Sequence, residues 1–245
     1  DGQLWGNPLY NWGYLRRTRY RWWTERLRVS ASLFDSVRID HFRALASYWA
    51  VPVGSGTAKT GVWLKGPGMD FIRAARRAVP GCSLIAEDLG LLDDGVRRLL
   101  KDSGLPGMKV LQFAFDPKSE SDYLPHNFIK DCVGYIGTHD NDTVRGWLKN
   151  ADPDEARFAM QYFSIASEGT AHWSFIRGLY ATPANRVIVQ MQDVLGLGSA
   201  ARMNTPGYSE GNWLWRMRPG AASADTAKKL GQLAGTYCRG RKAPA

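Results

Sequence analysis

The 245-residue sequence has only three cysteines and four histidines, and their arrangement excludes several kinds of site. Cys82, Cys132 and Cys238 are widely spaced, odd in number and without a Cys-x-x-Cys pair. This argues against a disulfide scaffold or a zinc centre, and it favours a reducing compartment. The histidines also lack the short spacings of metal ligands, so the sequence predicts no metal site.

Long apolar runs are missing as well. No run approaches the length of a membrane span, and the N-terminus shows no signal-peptide pattern. The composition, 44% hydrophobic and 22% charged, is typical of a soluble globular protein with room for a substantial core. The opening "DGQLWGNPLYNW" lacks an initiator Met and has a loop-like composition. We therefore expect the chain to be a piece of a longer protein.

Two glycine-rich stretches resemble nucleotide-binding motifs but lack features that those motifs require. Residues 54–68, which begin "GSGTAKTG", lack the Gly-Lys step of a P-loop and are predicted to form an exposed loop. Residues 196–201, "GLGSAA", match the dinucleotide fingerprint, but Pro and Gly soon interrupt the helix that must follow. Glu210 also comes too early to be the ribose-binding acid. No Gly-x-Ser-x-Gly motif is present.

The net charge of +9 raises the question of nucleic-acid binding, most strongly at residues 15–28, "LRRTRYRWWTERLR". The alternative is an amphipathic helix, with an ion pair between Arg21 and Glu25 on its polar face. Its apolar stripe would consist of Tyr20, Trp23, Leu27, Ala31 and Phe34. We favour the helix and expect no nucleic-acid partner, because the aromatic residues lie on the stripe that must be buried.

Strand-like and helix-like segments alternate along the chain. Five apolar runs predict strands at 36–42, 82–90, 108–116, 132–140 and 185–196. Helical patterns occupy 68–78, 91–101, 152–166, 170–180 and 223–236. In the third of these, Asp152 and Pro153 form a favourable helix start. This alternation predicts a parallel sheet wrapped by helices.

Acidic residues follow the apolar part of every predicted strand. They are Asp40, Glu87 with Asp88, Asp116, Asp140 and Asp193. Catalytic groups of (β/α)₈ barrels lie at the carboxyl ends of different strands, and doubly wound sheets bind ligands at the same ends. A single acid there is often a helix cap instead, but the repetition favours a common site.

Arg38 and Asp40 are two residues apart, so on a strand they point to the same face. The guanidinium would favour the ionised carboxylate and lower its pKa, as suits a nucleophile; the alternative is a structural ion pair. Glu87 lacks such an arginine and would lie near like charge, which raises a carboxyl pKa and suits a general acid. Two such carboxyls about 5–5.5 Å apart cleave glycosidic bonds with retention.

The stretch "GYIGTHDNDT" contains a third acid, Asp140, beside His139. Both side chains are suited to bind sugar hydroxyls as the ring distorts. The alternative for the polar residues 141–143 is to cap the following helix. Aromatic residues near the N-terminus, among them Trp5, are candidates for stacking on sugars, although such residues often belong to the core.

Five segments together resemble the 4-alpha-glucanotransferases, also called amylomaltases or disproportionating enzymes, of glycoside hydrolase family 77 in the alpha-amylase clan. The segments are "GQLWGNPLYNW", "RIDHFR", "AEDLG", "GTHDNDT" and "QDVLGLGSAARMN". The resemblance covers essentially the whole chain in the family's order and spacing. It implies an α/β fold, the (β/α)₈ TIM barrel, and a retaining transfer of α-1,4-glucan segments between maltooligosaccharides. No metal or organic cofactor and no membrane partner are implied.

The resemblance also implies roles for individual residues. Asp40 is similar to the nucleophile, Glu87 to the acid/base and Asp140 to the acid that stabilises the transition state. The residues implied in substrate binding are Arg38, His41, His139, Gln3, Trp5, Asp88 and Asn204. Gln3 and Trp5 belong to the segment that resembles the family's loop over the acceptor side.

Two departures from the family qualify these expectations. Ala44 stands where the family usually has glycine after "HFR", and the family's chains are about twice as long. We therefore expect residues 1–245 to be the C-terminal part of a single catalytic domain, with about strands four to eight of the barrel and inactive on its own. An α-glucan hydrolase and a non-catalytic glucan-binding protein remain alternatives. The bacterial cytoplasm and the plastid stroma both fit as compartments.

Overall fold

The computed structural model describes residues 4–90 and 92–240, which divide into two compact units: the first extends to Met108 and the second begins at Lys109. The helices are α1 (Trp12–Arg17), α2 (Arg21–Leu33), α3 (Gly68–Ala78), α4 (Asp94–Ser103), α5 (Val144–Asn150), α6 (Pro153–Tyr162), α7 (Ala171–Tyr180), α8 (Met191–Val194) and α9 (Ala224–Thr236). The strands are β1 (Ser36–Ile39), β2 (Ser47–Ala50), β3 (Val62–Lys65), β4 (Ser83–Ala86), β5 (Gly107–Val110), β6 (Cys132–Tyr135) and β7 (Arg186–Ile188).

The strands form three small sheets. β1 and β4 pair in parallel, β2 and β3 pair antiparallel, and β5, β6 and β7 form a three-stranded sheet in which β6 and β7 are parallel. Each predicted strand and helix has a counterpart in the structure, but the alternation is incomplete, because β2 and β3 follow β1 and the described residues between β5 and β6 contain no α-helix. A closed barrel is not present in the described part of the chain, because a sheet of two or three strands is too narrow to close on itself.

The first unit packs α2 and α3 over the β1–β4 pair. Its core includes Leu27 of α2, Phe71 and Ile72 of α3, and Leu84 of β4. The predicted stripe on α2 is correct for its central residues, whereas Phe34 follows the last turn and is exposed.

The predicted ion pair on α2 is also different in the structure. Glu25 pairs with Arg28, one turn further on, at 2.7 Å, which gives an i,i+3 arrangement in place of the expected contact with Arg21.

Residues 54–68, predicted to be a loop, contain the strand β3. Trp63 of β3 packs edge-on against Trp49 of β2, with 5.2 Å between ring centroids. The Trp49 indole N–H also donates to Ala58 O at 2.8 Å. Cross-strand aromatic contacts of this kind stabilise a hairpin, which local Gly and Lys content alone does not reveal.

The second unit has a core of aromatic and aliphatic side chains under α6 and α7. Phe115 and Phe175 are fully buried, with ring centroids 5.8 Å apart. The predicted start of α6 is confirmed, because Asp152 accepts a hydrogen bond from Asp154 N at 2.8 Å and Pro153 is the first helical residue. Within residues 4–90 and 92–240, no helix combines the length and apolar character needed to cross a bilayer.

Candidate active site

Asp40 and Glu87 follow directly after two adjacent parallel strands. Ile39 of β1 is in register with Ala86 of β4, so the next residue on each strand lies at the same sheet edge. The Glu87 backbone extends this pairing: Glu87 N donates to Ile39 O at 2.9 Å, and Phe42 N donates to Glu87 O at 3.0 Å. The predicted placement of these two acids at neighbouring strand ends is therefore confirmed.

Arg38 and Asp40 form the expected pair on one face of β1. The Arg38 guanidinium contacts the Asp40 carboxylate at 2.8 Å, with 28% of the arginine and 76% of the aspartate side chain exposed. The alternating residues Val37 and Ile39 pack against the core. The Asp40 carboxylate is therefore accessible from solvent and paired with a cation, as the sequence predicted.

Glu87 occupies a more buried position than Asp40. Its two carboxylate oxygens accept hydrogen bonds from His41 N at 2.6 Å and Leu89 N at 2.9 Å. Burial raises the pKa of Glu87 above its ordinary value, the two backbone N–H groups oppose this, and the nearby charge of Asp40 adds to it. The predicted direction is confirmed, but the largest cause is burial and not the like charge of Asp40.

The turn after Asp40 brings the His41 amide to Glu87. His41 has a left-handed backbone with φ of 48°, and desolvation lowers the pKa of its imidazole. Ala44 lies in the short 3₁₀ helix Phe42–Leu45, a conformation that alanine adopts without strain. Arg43 braces this turn by pairing with Asp93 at 2.8 Å.

Asp88 is directed into the protein. Its side chain is buried, and the carboxylate accepts a hydrogen bond from Met108 N at 2.6 Å. Gly107 permits this approach, since a Cβ there would lie 2.5 Å from Asp88 Oδ2. Asp88 therefore ties β4 to the start of β5, a contact that favours a bracing role over the predicted contact with substrate.

Asp140 lies in residues 138–143, here called the Asp140 loop, between β6 and α5. Asn204 Nδ2 donates to Asp140 Oδ1 at 2.5 Å, and His139 Nε2 lies 3.4 Å from Asp140 Oδ2. Asn204 N also donates to His139 O at 3.1 Å. These contacts bring together three of the residues predicted for the site.

Two neighbours of this group were missed from the sequence. The Arg202 guanidinium donates to Asp140 O and Asn204 O, so it fixes the backbone on both sides of the Asp140–Asn204 contact. Trp213 lies beside His139, with ring centroids 5.2 Å apart, and 51% of Trp213 is exposed. The run "GNWLW" could have indicated Trp213, because its aromatic residues come soon after the motif that contains Asn204.

One of the polar residues after Asp140 caps the next helix, in agreement with the alternative interpretation. Thr143 is the N-cap of α5, and its hydroxyl accepts from Gly146 N at 3.1 Å. Asn141 folds back on the loop, where its side-chain oxygen accepts from Thr138 N at 2.9 Å. His139 and Asp140 make neither contact, so the capping function and the candidate site are carried by different residues.

Three acids predicted at strand ends lie beyond them. β6 ends at Tyr135, so Asp140 belongs to the loop that follows the strand. β5 ends at Val110, and Asp116 belongs to a later turn in which it accepts from Lys118 N at 2.9 Å. β7 ends at Ile188, and Asp193 lies within α8, buried and bonded to Val144 N at 2.7 Å. All three placements were wrong because each apolar run continues past the last paired residue of its strand.

The N-terminal segment is only partly described. Trp5 is exposed, as suits a surface contact, whereas Gln3 lies outside the described residues. In the part of the chain that the structure covers, no group of three or more His, Cys, Asp or Glu side chains is placed to hold a metal ion.

Comparison with known proteins supplies the family. Residues 1–223 match the glycoside hydrolase family 77 model, described as 4-alpha-glucanotransferase. The chain belongs to this family. A 4-alpha-glucanotransferase from Clostridium butyricum is 44% identical over 239 residues, which cover 97% of this chain and 49% of the relative. A chloroplastic/amyloplastic 4-alpha-glucanotransferase from Arabidopsis thaliana is 47% identical over 91% of this chain and 39% of the relative.

The fold is similar to that of a solved family member, an amylomaltase from Streptococcus agalactiae in complex with acarbose. The two share 36% identity with a TM-score of 0.91, over 98% of this chain and 49% of the amylomaltase. The chain therefore has the fold of the matched part of an alpha-amylase-clan enzyme. It spans about half the length, or less, of the 4-alpha-glucanotransferases that it matches.

Proposed function

We propose that the full polypeptide containing this chain is a 4-alpha-glucanotransferase, which moves α-1,4-glucan segments to the 4-OH of an acceptor glucan or glucose. The observation that carries the proposal is the pair Asp40 and Glu87 at the ends of adjacent parallel strands. One carboxyl is accessible and paired with Arg38, and the other is half-buried with a raised pKa. Such a difference suits a nucleophile and a general acid.

The reaction follows from these two environments. Asp40 attacks the anomeric carbon while Glu87 donates its proton to the glycosidic oxygen, so the C–O bond breaks and a glucosyl ester of Asp40 forms. Glu87, now ionised, then takes the proton of an incoming sugar 4-OH as that oxygen displaces Asp40. Each displacement inverts the anomeric carbon, so the product retains the α configuration.

The remaining site residues are proposed to bind sugar. Asp140 is proposed as the acid that stabilises the transition state, supported by the family membership and by its contact with Asn204. Arg38, His41 and His139 are proposed around the cleaved sugar.

Gln3 and Trp5 are proposed on the acceptor side, and Trp213 is added as an exposed ring beside His139. Asp88 is proposed to act through its bond to Met108 N and not by direct contact with sugar.

For the whole domain, we propose that residues 1–245 are the C-terminal part of a single (β/α)₈ barrel and supply about strands four to eight. The match to 49% of an amylomaltase chain supports this, as do sheets of only two or three strands, whose edges further strands would cover. The 245-residue chain alone is expected to show no transfer on maltotriose. The cytoplasm is the proposed compartment, and the names of plant relatives support the plastid stroma as the alternative.

The test is an assay of the longest natural polypeptide that contains this sequence, with maltotriose as substrate. Transfer yields glucose together with longer maltooligosaccharides, whereas hydrolysis yields only shorter products. Asp40→Asn and Glu87→Gln are expected to abolish both products while glucan binding survives. Asp116→Asn is the matched control, because this exposed acid accepts a hydrogen bond from Lys118 N within its own turn and lies past the end of β5. Shortening without longer products would contradict the transferase.

A further inference from the structure

The Asp140 loop is bonded to a later part of the chain, and Gln112 Nε2 also donates to Asp142 O at 2.7 Å. The later part, residues 190–204, is here called the clamp segment; it includes α8 and the residues that follow it. Arg202 and Asn204 contact the middle of the loop, at His139 and Asp140.

Each end of the loop is bonded to the clamp segment by a side chain. At the start, Gln190 Nε2 donates to Thr138 O at 2.9 Å. At the exit, where α5 begins, Val144 N donates to Asp193 Oδ1 at 2.7 Å. Because both Val144 and Asp193 are buried, water does not readily replace this second bond if it is removed.

Asp193 is an unusual residue for such a position. Only 1% of it is exposed, and Oδ2 has no hydrogen-bond donor within the described ranges. Burying a carboxyl group in this way opposes folding unless its interactions compensate. The Asp193 side chain is bonded to the exit of the Asp140 loop, so holding that exit is the role that accounts for a buried acceptor oxygen here.

Charged and titratable groups surround Asp193 on the packed elements. Asp142 of the loop raises the pKa of Asp193 further, beyond the larger effect of burial. Arg145 of α5 donates to Gly196 O at 2.9 Å, and His172 of α7 packs against Gly196. Burial lowers the pKa of His172, so this ring is mainly neutral at pH 7 and adds no positive charge.

We propose that Asp193 is a positioning residue of the transfer reaction: its carboxyl holds the start of α5 and thereby fixes His139 and Asp140 against the sugar. This inference rests on the proposed function. It assigns Asp193 no contact with substrate. Its removal therefore acts through Asp140, whose proposed interaction with sugar strengthens in the transition state, and the loss falls on kcat more than on KM.

The test compares Asp193→Leu with Asp193→Asn, two side chains of nearly the same shape. Asparagine keeps an oxygen that accepts from Val144 N, whereas leucine leaves that buried N–H without a partner. For Asp193→Leu we expect kcat on maltotriose to fall about 100-fold with KM changed little, as a displacement of the order of 1 Å at a site produces. Asp193→Asn should stay within about threefold of the wild type, since the acceptor is retained.

Two further variants separate positioning from stability. Asp152→Ala removes the cap of α6 and lowers stability, but it should leave kcat unchanged. If Asp193→Leu does not fold, Gln190→Met removes the bond at the other end of the loop and should lower kcat in the same way. Two results would overturn the proposal. One is that Asp193→Leu and Asp193→Asn have equal kcat values. The other, if Gln190→Met is the variant measured, is that its kcat equals that of the wild type.

Hydrogen exchange supplies a readout that does not depend on catalysis. The amides of residues 138–144 should exchange faster in Asp193→Leu than in Asp193→Asn, with the core of α7 unchanged. If the wild type shows no transfer at all, the proposed function fails, and the exchange comparison still decides whether Asp193 holds the loop. Identical exchange in the two variants contradicts the positioning role.

Discussion

The stability of the second unit should depend on pH through Asp193. Burial raises the pKa of this carboxyl from 3.8 to about 7, with the Val144 amide opposing the change and Asp142 adding to it. A raised acid pKa means that the folded state binds the proton more tightly than the unfolded state does. The associated stability is fully present below about pH 3.8 and is lost as the pH rises to about 7.

The size of the effect follows from the shift. A pKa difference of about 3 corresponds to about 4 kcal/mol in the free energy of unfolding. About 3 kcal/mol of this is lost between pH 5 and pH 8. Asp193→Asn keeps the acceptor for Val144 N but does not titrate. The free energy of unfolding of the variant, relative to that of the wild type, should therefore increase by about 3 kcal/mol as the pH rises from 5 to 8.

The measurement is the unfolding midpoint of wild type and variant at several pH values between 5 and 8. The difference in Tm should grow by roughly 6–12 °C over this range for a domain of this size. Asp116→Asn removes one exposed negative charge and serves as the control for net charge. Parallel pH curves for wild type and Asp193→Asn would show that Asp193 is already ionised throughout, contrary to the effect of its burial.

Three further predictions concern other parts of the second unit. Phe175→Ala empties a fully buried ring site and should lower the free energy of unfolding by about 3–5 kcal/mol in urea titration. Thr143→Ala removes the cap oxygen that accepts from Gly146 N and should cost about 1 kcal/mol by the same assay. Trp213→Ala should raise KM for maltooligosaccharides by about tenfold, since an exposed ring that stacks on sugar contributes binding energy; an unchanged KM would remove Trp213 from the site.

Helices and their first residues were predictable because their signals are local. The pattern over 68–78 corresponds to α3, and the helix predicted at 223–236 corresponds to α9. Asp152 caps α6 through Asp154 N, a residue two positions away. Side-chain periodicity and capping depend on neighbours within one or two turns, so one sequence contains all the information they need.

Strand ends were less predictable because pairing partners decide them. The apolar run at 185–196 continues past β7, so Asp193 was placed at a strand end although it lies in α8. The hairpin of β2 and β3 was missed for the related reason that its contacts join Trp49 to Trp63, fourteen residues apart. An apolar run indicates burial, but hydrogen bonds to another segment determine whether the buried residues form a strand.

The different environments of Asp40 and Glu87 show what tertiary structure adds to a correctly predicted pair. Both acids follow a strand, and the sequence pattern predicts their adjacent placement and the direction of the pKa shift of Glu87. The predicted cause of the shift is like charge, whereas burial is the larger cause in the structure. Burial depends on how the turn after β1 folds back, since the same turn brings the His41 amide to Glu87. A variant that exposes Glu87 should therefore lower its pKa more than Asp40→Asn does, because desolvation outweighs a charge that solvent can screen.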